Sequence, residues 1–391
     1  YMLQNVLIER EIYASEEHKM MQNMIQDFIN NEVIDHTETW EKNGMVSRDI
    51  WERAGALGLL CIDMPEKYGG IGFDFSFSAL FIEELAKAGI SGPGFSLHSD
   101  IIAPYLLKYG TEAQKQKYLP IMATGKMITS LGMTEPNCGS DLQAIKTTAV
   151  DKGDYYVVNG QKTFITNGYM SNMSIVAVKT NPGTKKEGVS LLIMESDAEG
   201  FEKGVPFKKI GMKAQDTCEL FFDNVKVPKE NLLPNKSGLG APLGCLDSAR
   251  FGIAWGAIGA AMDCYDTALR YSKERMQFGK PIGQFQLQQK KLAEMITEIT
   301  KAQLLAWRLG VMRENGTATS AQISMAKRNN VDMAINIARE ARQILGGMGI
   351  TGEYSIMRHS MNLESVITYE GTHDIHLLIT GLDITGLNAF K

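Results

Sequence analysis

Apolar residues change their spacing twice along the chain, and this alternation constrains the architecture more than any motif does. The first and last parts of the chain both carry apolar residues at the interval of an amphipathic helix. Helices are predicted over residues 15–34, 47–59, 77–88, 101–109 and 112–123, and then over 245–273, 284–314, 320–345 and 373–389. The last four are long and joined by short connections, which is typical of a helical bundle.

Between the two helical parts, the sequence is typical of a β domain. Short segments rich in β-branched and aromatic residues alternate with turn-forming clusters. The predicted strands cover residues 155–158, 162–166, 174–178, 189–194 and 219–222. We therefore predict an α+β protein with an N-terminal helical domain over residues 1–125, a middle antiparallel β domain over 126–235 and a C-terminal four-helix bundle over 236–391.

Charge and cysteine content limit the class of protein. A net charge of −5 over 391 residues does not supply the basic surface that nucleic acid binding needs, so no nucleic acid partner is expected. The five cysteines are scattered without a CxxC pair, which favours reduced thiols in the cytoplasm, or in the mitochondrial matrix of a eukaryote, over a disulfide framework. No stretch approaches the roughly 20 apolar residues of a membrane span, and no secretory signal is recognisable in the first printed residues.

Two segments near the start of the β region could contact a cofactor. MTEPNCGSD at 133–141 offers backbone amides and a hydroxyl that could hold a pyrophosphate or flavin edge, but, taken alone, the segment is more often an ordinary loop. KTFITNG at 162–168 places Phe164 and Thr166 on one face of a strand, where an aromatic plane beside a hydroxyl could support a flavin ring. Taken alone, the segment is more often simply a half-buried strand.

Three further segments lie in the C-terminal part. ERMQFGKP at 274–281 contains cations that could reach phosphates, and the glycines of QILGGMG at 343–349 permit close approach of a ligand or simply cap a helix. YEGTHDIH at 369–376 is the most specific, because Glu370 stands at the predicted start of the last helix with backbone donors nearby. The two histidines there lack an HExxH pattern and a third ligand, so no metal site is expected.

In this order and spacing, TEPNCGSD, FITNG, RMQFGKP, QILGGMG and YEGT resemble the acyl-CoA dehydrogenase family, and the resemblance covers essentially the whole chain. It implies the FAD-dependent oxidation of an acyl-CoA to a trans-2-enoyl-CoA, with Glu370 removing the proton α to the thioester. It also implies a homotetramer that passes electrons to an electron-transferring flavoprotein.

The same resemblance assigns binding residues. Those implied for FAD are Leu131, Met133, Thr134, Gly139, Ser140, Phe164, Ile165, Thr166, Thr372 and Asp374, and those implied to reach the FAD of a neighbouring subunit are Arg275, Gln286, Gln343, Gly346 and Gly347. Those implied for acyl-CoA are Ser140, Asp247, Arg250 and Gly371.

The resemblance differs between the two halves of the chain. Up to residue 228 the sequence is most similar to long-chain acyl-CoA dehydrogenases, and beyond it to glutaryl-CoA dehydrogenases. Long-chain members place their catalytic glutamate where this chain has Ala249, which cannot accept a proton. Glu370 is therefore the implied base, as in the glutaryl branch.

The substrate prediction follows from a missing cation. Glutaryl-CoA dehydrogenases hold the distal carboxylate of the substrate with an arginine of the N-terminal domain, but no arginine occurs here between Glu84 and Arg250. Burying a carboxylate without a cation is costly, although Lys87 or His98 could substitute. We expect an uncharged, straight or modestly branched acyl-CoA that is not decarboxylated, with glutaryl-CoA as the alternative. An acyl-CoA oxidase, which typically carries a further C-terminal domain, and a non-catalytic flavoprotein, which would not need Glu370 and Arg250, are less favoured.

Overall fold

In the computed structural model, which describes residues 8, 10, 13–184 and 187–390, helices form both ends of the chain and a sheet lies between them. The helices before the sheet are α1 (Glu16–Phe28), α2 (Thr37–Asn43), α3 (Asp49–Ala56), α4 (Phe75–Lys87), α5 (Ala103–Tyr109) and α6 (Glu112–Ala123). Those after it are α7 (Gly240–Leu243), α8 (Leu246–Glu274), α9 (Gln286–Glu314), α10 (Ser320–Ile344), α11 (Ile356–Thr368) and α12 (His373–Thr385). The predicted α+β class and its order of helical, β and helical parts are confirmed.

Polar caps fix where the well-predicted helices begin. Ser15 accepts a hydrogen bond from the backbone N–H of His18 at 3.2 Å and starts α1. Thr111 and Thr319 each form a capping box, at the starts of α6 and α10. The first predicted helix is shorter than expected, because a π-helical turn at Ile29–Val33 follows α1.

The prediction of four helices in the C-terminal part was incomplete, because it omitted α11. This helix buries only Ile356, His359 and Leu363, and it packs against α10 and α8. The imidazole of His359 lies 2.8 Å from the Asp263 carboxylate of α8. A histidine therefore occupies a core-facing position, which interrupts the apolar pattern on which the prediction depended.

The seven-stranded sheet is mixed, so the prediction that it is antiparallel was wrong in part. Its strands are β1 (Thr129–Gly132), β2 (Thr148–Asp151), β3 (Tyr155–Thr166), β4 (Met173–Thr180), β5 (Gly188–Glu195), β6 (Phe201–Lys203) and β7 (Thr217–Pro228). Both β1 and β2 run parallel to β4, whereas the other pairs are antiparallel. The predicted strands 155–158 and 162–166 form one strand, β3, whose register shifts twice.

This parallel pairing positions the loop between β1 and β2. Thr129 of β1 is opposite Met173, at the start of β4, and Thr148 of β2 is opposite Lys179, near its end. The two strands thus follow one another along β4, so residues 133–147 leave the sheet between them and return. We call these residues the β1–β2 loop.

The two helical parts pack against each other through α4 and α8, and the bundle core lies between α8, α9 and α10. All five cysteines are buried and unpaired. Within the described ranges, none of the helices combines the length and the apolar character that crossing a membrane requires.

Candidate active site

Glu370 lies in a short segment between α11 and α12, not in the last helix itself. Its φ of 54° is in the left-handed region, which is costly for a residue with a side chain, and Gly371 follows at 94°. Thr372 ends the segment, because its hydroxyl accepts a hydrogen bond from the backbone N–H of Ile375 at 3.2 Å and caps α12. We call residues 369–372 the strap.

Lys327 of α10 binds backbone carbonyls on both sides of Glu370, a role that no sequence motif indicated. Its fully buried ammonium donates to the backbone carbonyls of Val366 at 2.8 Å, Tyr369 at 3.1 Å and Gly371 at 3.0 Å. Three donors of one ammonium thus meet three acceptors on either side of Glu370. The strained conformation of Glu370 is stabilised by contacts outside the strap.

Arg250 of α8 contacts the strap from another side. Its Nε donates to the backbone carbonyl of Glu370 at 3.2 Å, and its Nη1 lies 3.4 Å from Asp247, one turn earlier on the helix. A Cβ atom at Gly371 would lie 3.7 Å from Arg250 and only 3.0 Å from the buried ring of His376. The predicted substrate residues Asp247, Arg250 and Gly371 therefore lie together beside Glu370.

The carboxyl of Glu370 is only partly accessible, although the strap itself lies at the surface of this chain. Burial raises the pKa of Glu370, while the positive charges of Arg250 and Lys327 oppose that shift. Burial also lowers the pKa of Lys327 to about 7, opposed by the Glu370 carboxylate. A carboxylate with a raised pKa is a stronger base than an ordinary one, which suits proton abstraction from a weak carbon acid.

Ala249 lies between these groups in sequence but contributes no chemistry. Its side chain is buried on α8. Within the described ranges, no group of three or more potential metal ligands is placed to hold an ion.

The β1–β2 loop is anchored by a buried ion pair. Lys162 of β3 donates to Glu135 at 2.7 Å and to the carbonyl of Met133 at 3.1 Å. Glu135 also accepts the backbone N–H groups of Lys146 at 2.7 Å and Thr147 at 3.0 Å. Both ends of the loop are therefore tied to the same carboxylate.

The predicted loop residues differ in accessibility. Leu131 and Met133 have buried side chains, Thr134 is partly exposed, and Gly139 and Ser140 are exposed near the tip of the loop. Ser140 was predicted to contact both FAD and substrate, but no described contact joins it to the strap.

Phe164 has the features expected of a ligand platform. Its φ is 57°, its side chain is 66% exposed, and its ring lies 5.2 Å from that of Phe207. Thr166 is partly exposed, whereas Ile165 between them is buried and could face a ligand only through its backbone. Apart from its contact with Phe207, most of the Phe164 side chain is therefore open to a ligand.

The residues predicted to reach a neighbouring subunit lie at one end of the bundle. Arg275, Gln286, Gln343, Gly346 and Gly347 are all exposed. An ion pair of 2.8 Å between Lys291 and Glu340 joins α9 and α10 near this end. Gln343 is sixteen residues (343 − 327) beyond Lys327 on α10, about 24 Å along the helix axis. Within one chain, this end is therefore remote from the strap.

Thr372 and Asp374, the last two predicted FAD residues, stand at the start of α12. Thr372 caps the helix, and Asp374 is exposed in its first turn. Both are next to the strap and thus close to Glu370 in sequence and in space.

A second group of charged side chains, which sequence reasoning missed, lines a cavity between α4, α5 and α8. The cavity is about 30 Å³, and Arg313 of α9 enters it beside Asp63 and Asp100. We call it the polar cavity. Neither Lys87 nor His98, the cations suggested from sequence, is among the described residues that line this cavity. His98 is buried with its ring nitrogens 2.8 Å from Thr129 and 3.0 Å from a carbonyl, and burial lowers its pKa to about 4.

Comparison with known proteins accounts for nearly the whole chain. Three family profiles match in order: acyl-CoA dehydrogenase N-terminal domain at residues 15–126, middle domain at 130–225 and C-terminal domain at 236–383. The chain is 40% identical to the mitochondrial long-chain specific acyl-CoA dehydrogenase of Mus musculus, covering 94% of this chain and 86% of that protein.

Glutaryl-CoA dehydrogenases are also similar. The protein of Desulfococcus multivorans is 35% identical, covering 95% of this chain and 97% of the relative. The crystal structure of a glutaryl-CoA dehydrogenase from Mycobacterium smegmatis in complex with FADH2 superposes with a TM-score of 0.90 at 36% identity, covering 96% of each chain.

Proposed function

Because the chain belongs to the acyl-CoA dehydrogenase family, we propose that it oxidises an uncharged acyl-CoA to the trans-2-enoyl-CoA, with FAD as cofactor and Glu370 as base. The observation that carries the proposal is the strap. It holds a single carboxylate in a strained conformation, with a raised pKa, beside Arg250 and Asp247.

Glu370 removes the α-proton of the thioester. Lys327 and Arg250 keep the strap in place by binding carbonyls on both sides of that residue. Burial raises the pKa of the Glu370 carboxyl, which brings its basicity closer to that of the carbanion that forms when the proton leaves. FAD, when bound, supplies the acceptor for the hydride that leaves the β-carbon.

The described residues fit FAD on two separate surfaces. Phe164 and Thr166 give an open aromatic and hydroxyl face, and the anchored β1–β2 loop exposes Gly139 and Ser140. At the remote end of the bundle, a Cβ atom at Gly346 or Gly347 would meet nothing within 4 Å in this chain. The φ of 58° at Gly346 is itself a reason for glycine, but Gly347 has no such conformational reason, which is consistent with close approach by a group from outside the chain.

A homotetramer accounts for this division of the site. Phe278 is 92% exposed and Leu287 is 71% exposed near the remote end, and exposed apolar side chains of this size favour a protein interface. In the proposed assembly, Arg275, Gln286 and Gln343 of one subunit reach the FAD of its neighbour. Five buried, unpaired cysteines also favour a reducing compartment such as the cytoplasm or the mitochondrial matrix.

The acyl specificity and electron acceptor belong to the same proposal. We propose an electron-transferring flavoprotein as acceptor, because the reduced cofactor of this family must be reoxidised by a partner. Glutaryl-CoA is the second candidate substrate, supported by the 35% identity to the glutaryl-CoA dehydrogenase of Desulfococcus multivorans. Against it stand the neutral His98 and the absence of arginine between Glu84 and Arg250.

Anaerobic reduction of the flavin tests the function. The wild-type enzyme is mixed with butyryl-, octanoyl-, palmitoyl- and glutaryl-CoA, and the loss of flavin absorbance is followed for wild type and Glu370→Gln. We expect neutral acyl-CoAs to reduce the flavin, with at least about a thousandfold slower reduction in the variant, as for loss of a catalytic base. Glu364→Gln, an exposed glutamate of α11, is the matched control.

Each alternative has its own outcome. Reduction by glutaryl-CoA alone with release of carbon dioxide would establish the decarboxylating alternative. Rapid reoxidation of the reduced enzyme by air would indicate an oxidase. Bound flavin that no acyl-CoA reduces would contradict the proposed function and favour a non-catalytic flavoprotein.

A further inference from the structure

We propose that His376 is a positioning residue for Glu370, and that its neutral imidazole holds the strap by packing against Gly371 and donating a hydrogen bond from Nε2 to the Gly371 carbonyl. The inference rests on the proposed function, because it assigns a further residue to the reaction of the same site. It follows from where the ring lies, from its unused hydrogen-bonding capacity and from the charges around it.

His376 brings a buried ring to the protein-facing side of the strap. Among the residues of α12, all of which the structure describes, His376 alone is buried, with an exposed fraction of 0%. Its backbone N–H donates to the carbonyl of Thr372 at 3.1 Å, so the first turn of α12 ties the ring to the last residue of the strap. An amphipathic helix normally buries apolar side chains, so a histidine at the single buried position requires another reason.

The ring occupies the space beside Gly371. A Cβ atom added at that glycine would lie 3.0 Å from both Cε1 and Nε2 of His376, so the Nε2 edge of the ring faces the strap. Glu370 and Gly371 are consecutive residues in the left-handed region, with φ of 54° and 94°. Such a conformation persists only where its surroundings support it. Lys327 and Arg250 support it through backbone carbonyls, and the ring of His376 supports it from the side that faces the protein.

The imidazole has hydrogen-bonding capacity that no described residue uses. Both Nδ1 and Nε2 of His376 are buried, and neither has a partner in the described part of the chain. The carbonyl of Gly371 is close enough to the ring to favour its charged form, but it does not reach hydrogen-bond geometry. That oxygen accepts from Lys327 at 3.0 Å and has a second lone pair. Catalytic hydrogen bonds are often long in the free protein and shorten when the site is filled, so a small movement of the strap forms this one.

The surroundings keep the ring neutral. Burial lowers the pKa of His376 to about 3, the charges of Lys327, Arg250 and His373 add to that shift, and a strap carbonyl opposes it. Near neutral pH, the ring therefore has one donor and one acceptor. Neutrality matters for the base, because Lys327 and Arg250 already oppose the raised pKa of Glu370. An imidazolium would add a third positive charge and make Glu370 a weaker base, whereas a neutral ring positions it without that effect.

Two uncharged amides test which nitrogen of the ring acts. The side-chain nitrogen of glutamine corresponds in position to Nε2 of histidine, and that of asparagine to Nδ1. His376→Gln therefore keeps a donor that faces Gly371, whereas His376→Asn removes it. His376→Phe, which keeps a ring of similar size without nitrogens, replaces the asparagine variant if that protein does not fold. The control is His359→Gln, which changes a buried histidine of α11 that pairs with Asp263.

The limiting rate of anaerobic flavin reduction, at saturating octanoyl-CoA and per bound flavin, measures the effect on catalysis. We expect His376→Gln to stay within about threefold of wild type, and His376→Asn or His376→Phe to lose about tenfold or more, as for loss of a hydrogen bond that positions a base. The concentration of acyl-CoA that gives half the limiting rate should change by less than about threefold, because the ring supports the base and not the substrate. His359→Gln should keep the wild-type rate within about twofold, even where it lowers the free energy of unfolding.

A second measurement does not depend on turnover. Hydrogen–deuterium exchange of the backbone amides of residues 369–376, in the FAD-bound protein, should be about tenfold faster in His376→Asn than in wild type and nearly unchanged in His376→Gln. If His376→Asn reduces its flavin at the wild-type rate, or if the two amides lose equally, the inference is wrong and the proposed function stands. If no acyl-CoA reduces the wild-type flavin, the proposed function fails, and the exchange rates alone decide whether His376 holds the strap.

Discussion

The chain contains two clusters of charged side chains that differ in how completely they are paired. In the β domain, Glu135 and Lys162 are both buried and lie 2.7 Å apart. Backbone groups of the β1–β2 loop make further hydrogen bonds to the pair. In the polar cavity, Arg313 makes one side-chain hydrogen bond, and the buried Ser78 hydroxyl makes none among the described residues.

This difference indicates different functions. A buried ion pair recovers its desolvation cost only when hydrogen bonds satisfy both partners, as they do at Glu135 and Lys162. Such a pair fixes the conformation of a loop. The polar cavity has no such constraint, because Asp63 is exposed and Arg313 only half-buried, so solvent can meet hydrogen-bonding capacity that the protein leaves unused. Lys327 shares features of both clusters. All three of its N–H donors are used, as in the Glu135–Lys162 pair, but they bind the strap and the nearby end of α11, next to the proposed catalytic base.

Lys162→Met should have the largest effect on stability. It leaves the buried Glu135 carboxylate without its cation, so we expect the free energy of unfolding to fall by about 3–5 kcal/mol. Denaturant unfolding at fixed protein concentration measures the change. The control is Lys290→Met, which removes an exposed ion pair to Glu294 and should cost less than about 1 kcal/mol. Equal losses in the two variants would show that the β-domain pair is not the anchor described here.

Lys327→Met should have a smaller effect on stability and a distinct effect on catalysis. Three partly buried backbone carbonyls lose their donor, at a cost of about 2 kcal/mol. Glu370 also loses a neighbouring positive charge, so its already raised pKa should rise further. Since only the carboxylate accepts the α-proton, the acidic limb of the kcat/KM profile should move to higher pH.

The pH dependence separates positioning from simple support of the fold. Lys301→Met, on an exposed part of α9, should leave the acidic limb unchanged. A Lys327→Met enzyme with lower kcat but an unmoved acidic limb would indicate that the lysine stabilises the strap without affecting the charge state of Glu370.

Much of the fold was predictable because local rules and tertiary packing agree in most elements. Helix α10 has both a polar start signal and an apolar stripe, and α6 has the same kind of start signal and buries Tyr118, Leu119 and Met122. α11 was missed because its buried His359 pairs with Asp263, a partner 96 residues away that no local pattern reveals. The parallel strands were missed for a similar reason, since pairing direction depends on where the β1–β2 loop returns to the sheet.

The candidate site divides in the same way. Glu370, Arg250 and Asp247 were predicted because they belong to motifs, and the structure brings them together. Arg313 and Lys327 were not, because each acts across a long separation in sequence from a helix that otherwise has an ordinary amphipathic pattern. From the sequence, a cation was sought only in the N-terminal domain, whereas Arg313 belongs to α9 in the C-terminal part.

Asp100→Asn should have the smallest effect on stability. The direction of its pH dependence distinguishes the polar cavity from the Glu135–Lys162 pair. The folded protein keeps a proton on Asp100 up to about pH 7, whereas the unfolded carboxyl releases it near pH 3.9. Between these values the folded state binds more protons, so this group's contribution to stability is lost as pH rises. Glu135 behaves oppositely: although burial opposes it, Lys162 and the loop amides lower its pKa, and its contribution is lost as pH falls.

The stability advantage of wild type over Asp100→Asn should thus decline from about pH 4 to 7, on the order of 1 kcal/mol because Asp63 takes over part of the titration. The free energies of unfolding of wild type and Asp100→Asn, measured across that pH range, should converge. A difference that does not change with pH would mean that Asp100 titrates as an ordinary surface carboxylate.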